Sequence, residues 1–422
     1  MDSTVIKTTA FSVALLGGLA TTAMSQNAYE TGGVQLSFGI KLRAEAQDNR
    51  SLSATDPDSS VESVANLSFG ILSETRTQRF KLDFGGKLRA YNGDSSTVDD
   101  GFVEPSVALN YALSSANSRL EVSASLSETD LSDSDILSDD GLEILRANGA
   151  TRRRTMLETR LDWGDTTSLG FGVFARRLEN TYSGGTPTSL GGSSLNDNLR
   201  TTVGASTRMD LTQAATLNLS LSYSEFEEDT VSGTSDTLSV NSSLTLDRPR
   251  GPLSINLGVT SVDDGERLSA SVSRSLEFPN GKFSGQIGAT RGVDGDGYLT
   301  AAANYSHSTP TATFTLGLSR DVSSDNEEDS ERLRTSLNLG YGRDLSPLSA
   351  LKFNASWSQS EETATDLSSI NTTLGATYSR DLTEDWALDA GYKHRIKDSD
   401  TSGRAKSNSV FLELRRAFIT RF

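Results

Sequence analysis

The residues with the clearest capacity for chemistry are basic side chains that share one face of short extended segments. Side chains two positions apart on a strand point to the same side, so such residues would gather on one polar face. The eight that stand out are Lys41, Arg43, Lys81, Lys87, Arg89, Lys393, Arg395 and Arg415. A face of this kind attracts anions, unless the interspersed Glu45, Asp83 and Glu413 neutralise it through ion pairs across neighbouring strands. Both alternatives are open at this point.

Composition excludes several other kinds of site. The chain has no Cys and only two His, which excludes thiolate chemistry and zinc–thiolate centres. Neither His307 nor His394 has a Ser or Asp at a spacing that would fix a catalytic partner, so we expect no enzymatic activity, no cofactor and no metal. The net charge of −17 argues against nucleic acid as a partner, because phosphates require a basic surface.

The charged residues lie in segments whose apolar residues recur at every second position. Phe80, Leu82 and Phe84, for example, alternate with Lys81 and Asp83, and the same alternation continues along the chain from Gly33. We count about 20 such segments of about ten residues each, the length that a tilted strand needs to cross a bilayer. The low hydrophobic content of 35% fits this arrangement, since only one face of each strand has to be apolar.

The connections between segments alternate between long polar loops and tight turns. Residues 47–60, 127–153 and 178–196 are long, whereas 74–78 and 114–117 are short. Aromatic residues also sort by segment end: Tyr111, Trp163, Tyr305, Tyr341, Tyr378, Trp386 and Phe418 at the short turns, and Tyr223, Trp357 and Tyr392 at the long loops. This pattern predicts an all-β fold, a single transmembrane antiparallel up-and-down β-barrel of about 20 strands, within a range of about 18 to 22. An even strand number would place both termini on the short-turn, periplasmic side.

The N-terminal residues have the pattern of an export signal. Residues 1–25 contain Lys7, an apolar core from Ala10 to Ala20, and small residues at Ala23 and Ser25, which predicts a secretory signal peptide cleaved before Gln26. Residues 26–32 would then form a short N-terminal segment, and 33–422 the barrel.

The last segment carries two aromatic residues on its apolar face, Phe418 and Phe422. This ending resembles the C-terminal signature of Gram-negative outer-membrane β-barrel proteins. The resemblance implies a location in the outer membrane of a Gram-negative bacterium. It also implies that Phe418 and Phe422 form the signal read by the barrel-assembly machinery. Outer-membrane lipid and lipopolysaccharide are further implied partners, and the protein could form a homo-oligomer.

Closure of the barrel would pair the last strand with the first and place the eight basic residues on one stretch of the inner wall. We therefore predict that these residues line the lumen and bias its selectivity. The longest connection, 127–153, resembles the third loop of general porins in position and length, and that loop narrows the lumen. If it folds inward, Asp139, Asp140 and Glu143 would lie at a constriction; a free external loop is the alternative.

The function that these features predict is a porin-like channel for passive diffusion of small hydrophilic solutes, with a weak preference for anions. The alternative is a structural or export-linked outer-membrane barrel that serves secretion or docking of a polymer or protein.

Overall fold

The fold is a single sheet of twenty strands. The computed structural model describes residues 33–93, 100–131, 149–164, 166–184, 196–229, 234–263, 265–325, 330–363, 367–400 and 403–422. The strands are β1 Val34–Gln47, β2 Ser60–Glu74, β3 Gln78–Gly93, β4 Gly101–Ser114, β5 Ser118–Asp130, β6 Thr151–Trp163, β7 Leu169–Ser183, β8 Asn198–Thr212, β9 Ala215–Glu228, β10 Thr234–Leu246, β11 Leu253–Val262, β12 Gly265–Phe278, β13 Gly281–Arg291, β14 Gly297–Ser308, β15 Ala312–Asp325, β16 Ser330–Ser346, β17 Ser349–Glu362, β18 Ser368–Asp381, β19 Trp386–Ser399 and β20 Gly403–Arg421.

The sheet closes on itself. Each strand pairs antiparallel with the next, and β1 pairs with β20 from Gln35 opposite Arg421 to Gln47 opposite Ser409. Backbone hydrogen bonds between Val34 and Phe422, 2.9 and 3.2 Å long, continue this seam by one further pair. The predicted fold class and strand number are therefore confirmed. Closure removes the unpaired edges that an open sheet would expose.

The two faces of the sheet differ in chemistry and in exposure. On β20, Ser407 and Ser409 are 1% and 3% exposed, whereas Val410 and Leu412, which lie on the opposite face, are 55% and 53% exposed. The buried parity is the concave, inner face, because side chains there are shielded by the rest of the barrel. The apolar parity therefore covers the outside, as a lipid-facing surface requires.

The strands are longer than the sequence pattern suggests. They run from 10 residues in β11 to 19 in β20, rather than about ten throughout. On β7 the outward apolar residues end with Val173 and Ala175, but the strand continues through Arg177 to Ser183. Apolar alternation marks only the part of a strand that faces lipid, whereas the backbone ladder continues beyond it because paired amides remain favourable in water-exposed sheet.

Two predicted segments are outside these ranges. Residues 1–25 and 26–32, assigned to a signal peptide and a short leader, are not among the described residues, nor are Asp139, Asp140 and Glu143 of the longest connection. That connection begins at Leu131, because β5 extends to Asp130. Within the described part of the chain, no helix is long and apolar enough to span a membrane.

The lumen as candidate functional site

The inner face carries two regions of opposite character. The first, here called the charged wall, is the lumen face of β19, β20, β1, β2 and β3. The second, the amide–hydroxyl wall, is the lumen face of β10, β11, β12 and β13. In the closed sheet of twenty strands, nine strands lie between β1 and β11 in either direction, so the two walls lie on opposite sides of the lumen.

All eight basic residues predicted from the sequence lie on the lumen-facing parity of the charged wall. Register places Lys41 opposite Arg415 and Asn66, and Asn66 opposite Lys87. Lys41, Arg415 and Lys87 therefore share one row across the wall. Like charges on directly paired positions repel each other, so this row is a local concentration of positive potential.

Most of the predicted cations of the charged wall, including Arg415 and Lys87 of this row, lie beside carboxylates. Arg43 lies 2.7 Å from Glu45 and 3.8 Å from Glu413. Its guanidinium also stacks 4.0 Å from the centre of the Phe411 ring. Similarly, Lys81 lies 2.8 Å from Asp83 and Arg415 lies 3.2 Å from Asp389. Cross-strand and same-strand pairing thus neutralises much of the wall, as the alternative interpretation of the sequence anticipates.

Arg89 differs from the other seven candidates because its side chain is only 2% exposed. It lies 2.8 Å from Glu62, 2.9 Å from Glu104 and 2.5 Å from Asp130. These carboxylates come from β2, β4 and β5, and the β4–β5 ladder ends at Ser106 opposite Ser127. Arg89 therefore contacts three strands at a level where β4 and β5 are no longer paired through their backbones.

Glu104 reaches Arg89 and Lys87 from a break in the sheet. The β3–β4 register shifts between Gly85 and Lys87, and Glu104 has a φ of 52°, a conformation that is costly for a residue with a side chain. Sequence reasoning missed Glu62, Glu104, Asp130 and Asp389 as partners. For Glu104, the sequence did contain a signal: Pro105, which follows it, interrupts the alternation of β4.

Lys393, Arg395 and Lys397 form a column of cations on β19. Their register partners on β18 and β20 are uncharged residues: Gly375, Thr373, Asn371, Ser409, Ser407 and Ala405. Arg395 and Lys397 are 4% and 8% exposed. The upper part of this column is thus enclosed, whereas the Lys41 row lies lower on the wall.

The amide–hydroxyl wall has no charge between its end residues Arg267, Glu277 and Lys282. Its lumen-facing residues are Ser239, Asn241, Ser243, Asn256, Gly258, Thr260, Ser269, Ser271, Ser273, Ser284, Gln286 and Gly288. Hydrogen bonds run sideways through it. Ser243 donates to Asn256 at 2.7 Å, and Asn256 and Gln286 each donate to Ser271 at 3.2 Å.

Lumen-facing side chains near the long loops are covered. Those under one tenth exposed are Ser60, Arg89, Arg152, Leu178, Asn180, Phe226, Thr290, Arg332, Arg395, Lys397, Ser407 and Ser409. The connection from β1 to β2 contributes to this cover, because the Asn49 amide donates to the Lys406 carbonyl at 3.0 Å and Leu52 is 7% exposed. Near the short turns, by contrast, the side chains of Lys81 and Arg119 are 44% and 54% exposed. These two side chains near the short turns are therefore more exposed than the covered residues near the long loops.

The two residues of the predicted assembly signal lie on the outer face at the short-turn end. The Phe418 ring lies 6.0 Å from the Phe38 ring, and the Arg416 guanidinium stacks 4.0 Å from Phe418. Phe422 is 79% exposed. Both positions are accessible from outside the barrel, and their role in assembly stays a prediction.

Comparison with known proteins identifies the fold alone. The sequence matches no protein-family model and no curated protein. A variant of the ferric enterobactin receptor PfeA from Pseudomonas aeruginosa, in complex with enterobactin, is similar with a TM-score of 0.54 and 11% identity, over 92% of this chain and 82% of the receptor. The siderophore receptor PirA from Acinetobacter baumannii is similar with a TM-score of 0.55 and 8% identity, over 92% and 81%.

OccK5 from Pseudomonas aeruginosa has 13% identity and a TM-score of 0.42, over 92% of this chain and 98% of its own, and this similarity is too low to support an argument. The assignment of the fold rests on PfeA and PirA. The predicted resemblance to Gram-negative outer-membrane β-barrels is confirmed at the level of the fold, and the outer-membrane location predicted from the sequence agrees with it.

Proposed function

We propose that this barrel is a porin-like channel of the outer membrane through which small hydrophilic solutes diffuse passively. The observation that carries the proposal is the division of the closed sheet into an apolar outside and a polar inside. Large apolar side chains such as Leu257 and Leu412 are more than half exposed on the outer face. The inner face carries charges, amides and hydroxyls, which water and polar solutes can contact.

A weak preference for anions belongs to the same proposal. The row of Lys41, Arg415 and Lys87 supports it, because three cations at one level of the lumen raise the local potential. The carboxylates that pair with Arg415 and Lys87 limit the size of the preference. Lys41 is exposed to the lumen and makes no ion pair within the described ranges.

The covered long-loop end favours the second candidate, a barrel that docks or exports a polymer or protein. A channel for free diffusion needs a continuous water path, whereas a docking barrel could remain covered until its partner displaces the cover. The exposed side chains near the short turns and the row of Lys41, Arg415 and Lys87 do not separate the two candidates.

Swelling of liposomes that contain the refolded protein tests the proposal. We expect swelling in isotonic arabinose or glycine, with rates that fall as the solute becomes larger. Liposomes prepared with heat-denatured protein are the control. Absence of swelling for all solutes would exclude free diffusion and favour the docking candidate.

The barrel-assembly machinery is a proposed partner, and we propose that it recognises Phe422 on the outer face. Deletion of Phe422 is expected to lower the amount of folded barrel in the outer membrane while leaving export to the periplasm intact. Normal insertion of the deletion variant would exclude Phe422 as an assembly signal.

A further inference from the structure

One concavity of the lumen is lined by amides and hydroxyls on one side and by charged side chains in its middle and on its other side. Its volume is about 840 Å³, within the range of small-molecule sites. The side formed by β10, β11 and β12 belongs to the amide–hydroxyl wall and includes Asn241, Asn256 and Ser271. The middle includes Arg208 of β8, and the side formed by β5 and β6 includes Arg119 and Arg160.

The side-chain amides on the amide–hydroxyl side of the concavity retain unused hydrogen-bonding capacity. An Asn side chain can make two donated and two accepted hydrogen bonds. The Asn256 amide accepts one bond from Ser243 and donates one to Ser271, which leaves an N–H and a lone pair. Donors and acceptors therefore stand side by side, fixed by their lateral bonds.

Gly258 leaves room for polar side chains on the amide–hydroxyl side of the concavity. A Cβ at this position would lie 2.6 Å from the Ser269 hydroxyl and 2.8 Å from the Asn241 side-chain oxygen. The absence of a side chain therefore lets the Asn241 amide lie across the strand. A ligand can then approach the amide without meeting a bulky group.

The cations that line the concavity lie beside carboxylates, and Arg208 is 3.8 Å from Asp210. The Arg160 Nε lies 2.7 Å from Asp162, and Arg119 is paired with Glu121. Each carboxylate is two positions further along the same strand, so each pair adds no net charge to the concavity. The guanidinium groups still offer N–H donors in a plane.

We propose that this concavity is a binding site for neutral polyhydroxylated solutes, that is, short carbohydrates. Each sugar hydroxyl both donates and accepts, which matches adjacent amides and hydroxyls better than it matches a wall of a single charge. This inference rests on the proposed channel function and names a class of solute for it. A simple anion would instead favour the row of Lys41 and Arg415 on the opposite wall.

Current through the refolded full chain in a planar bilayer tests the proposal, with maltotriose as the probe. Maltotriose is expected to reduce the open-channel current in a saturable manner. A polyethylene glycol oligomer of similar mass, which offers acceptors but few donors, should reduce it only in proportion to its volume. Gluconate distinguishes a site for neutral polyols from a site for anions: a gluconate block that Asn241→Ala/Asn256→Ala weakens more than it weakens the maltotriose block would overturn the proposal.

Two variants locate the site. Removing both amides in Asn241→Ala/Asn256→Ala is expected to raise the half-blocking maltotriose concentration about tenfold, because two fixed hydrogen-bonding groups are lost. Asn66→Ala is the matched control, since Asn66 is a lumen-facing amide on the charged wall. Equal block in all three proteins, or no block in a channel that conducts KCl normally, would overturn the proposal and leave the channel function intact.

A second readout does not depend on conduction. Saturation-transfer NMR on the detergent-folded barrel is expected to show transfer to maltotriose for the wild type and for Asn66→Ala, with a large reduction for the double variant. Saturation transfer to maltotriose in a barrel that does not conduct ions would support the binding site while excluding free diffusion. Absence of transfer to maltotriose in a folded barrel would overturn the proposed binding site.

Discussion

The two opposite walls of the lumen obtain a polar surface by different means. The charged wall uses long side chains that extend from the sheet and pair with one another, as Arg43 does with Glu45 and Glu413. The amide–hydroxyl wall uses short side chains that bond sideways to neighbouring strands, as Asn256 does with Ser271. The first arrangement connects strands and creates local potential, whereas the second leaves a neutral surface with little protruding bulk.

The contrast extends to stability. On the charged wall, a single buried guanidinium contacts three carboxylates, so its loss removes one cation from a cluster of three negative charges. On the amide–hydroxyl wall, each lateral bond is between neutral groups, and water in the lumen can replace a lost partner. Substitutions should therefore have larger structural effects on the charged wall.

Arg89→Ala is expected to produce the largest effect. The change removes the guanidinium that lies among Glu62, Glu104 and Asp130, and removing one partner from a buried ion pair costs about 3–5 kcal/mol. Urea unfolding of the barrel in lipid vesicles measures the loss. The control Arg119→Ala disrupts a solvent-exposed pair and should cost less than about 1 kcal/mol. Equal losses would show that Arg89 does not link the strands as described.

Glycine substitutions compare the two walls directly, with a smaller expected effect. A Cβ at Gly391 on the charged wall would overlap the Phe411 ring, so Gly391→Ala must displace a ring that supports Arg43 and should cost about 1–3 kcal/mol. Gly258→Ala meets only the small side chains of Asn241 and Ser269 and should cost less. The same urea titration measures both variants, and a reversed order would contradict the contrast between the walls.

The Lys41 row is expected to control selectivity with little effect on stability. Lys41→Glu places a carboxylate opposite Arg415 and should move the zero-current potential in a KCl gradient towards cation preference, while Lys41→Gln should move it about half as far, in proportion to the charge removed. Asn241→Gln, on the opposite wall, changes no charge and is the control. An unchanged potential in Lys41→Glu would exclude the row as a determinant of selectivity.

The sequence predicts the features that repeat and misses those that occur once. The alternation of apolar and polar residues recurs along the chain, and so does the alternation of long and short connections. The strand number and the lumen-facing parity of all eight cations could therefore be predicted. The contact of Arg89 with Asp130 could not, because it depends on the local end of the β4–β5 ladder. The amide–hydroxyl wall carries no charge to attract notice, although counting ten strands from the seam would have placed it opposite Lys41.

The covered long-loop end shows a second limit of sequence reasoning. Periodicity reports which face of a strand meets lipid, but it does not report whether a water-facing side chain is also covered by a connection. Ser407 and Ser409 are typical of a hydrated lining by sequence, yet both are almost fully buried.

The central claim is that the lumen has one electrically positive wall and one neutral wall, both in contact with water. Because the chain has no Cys, single cysteines can report on each wall. The most direct test compares the reaction rates of Asn66→Cys and Asn241→Cys with anionic and cationic thiosulfonate reagents of equal size, with the lipid-facing Leu257→Cys as the control. At low salt we expect the anionic reagent to react about threefold or more faster at position 66 and both reagents to react equally at position 241. The control should remain unmodified. Equal rate ratios at positions 66 and 241, or rapid modification at position 257, would contradict the account.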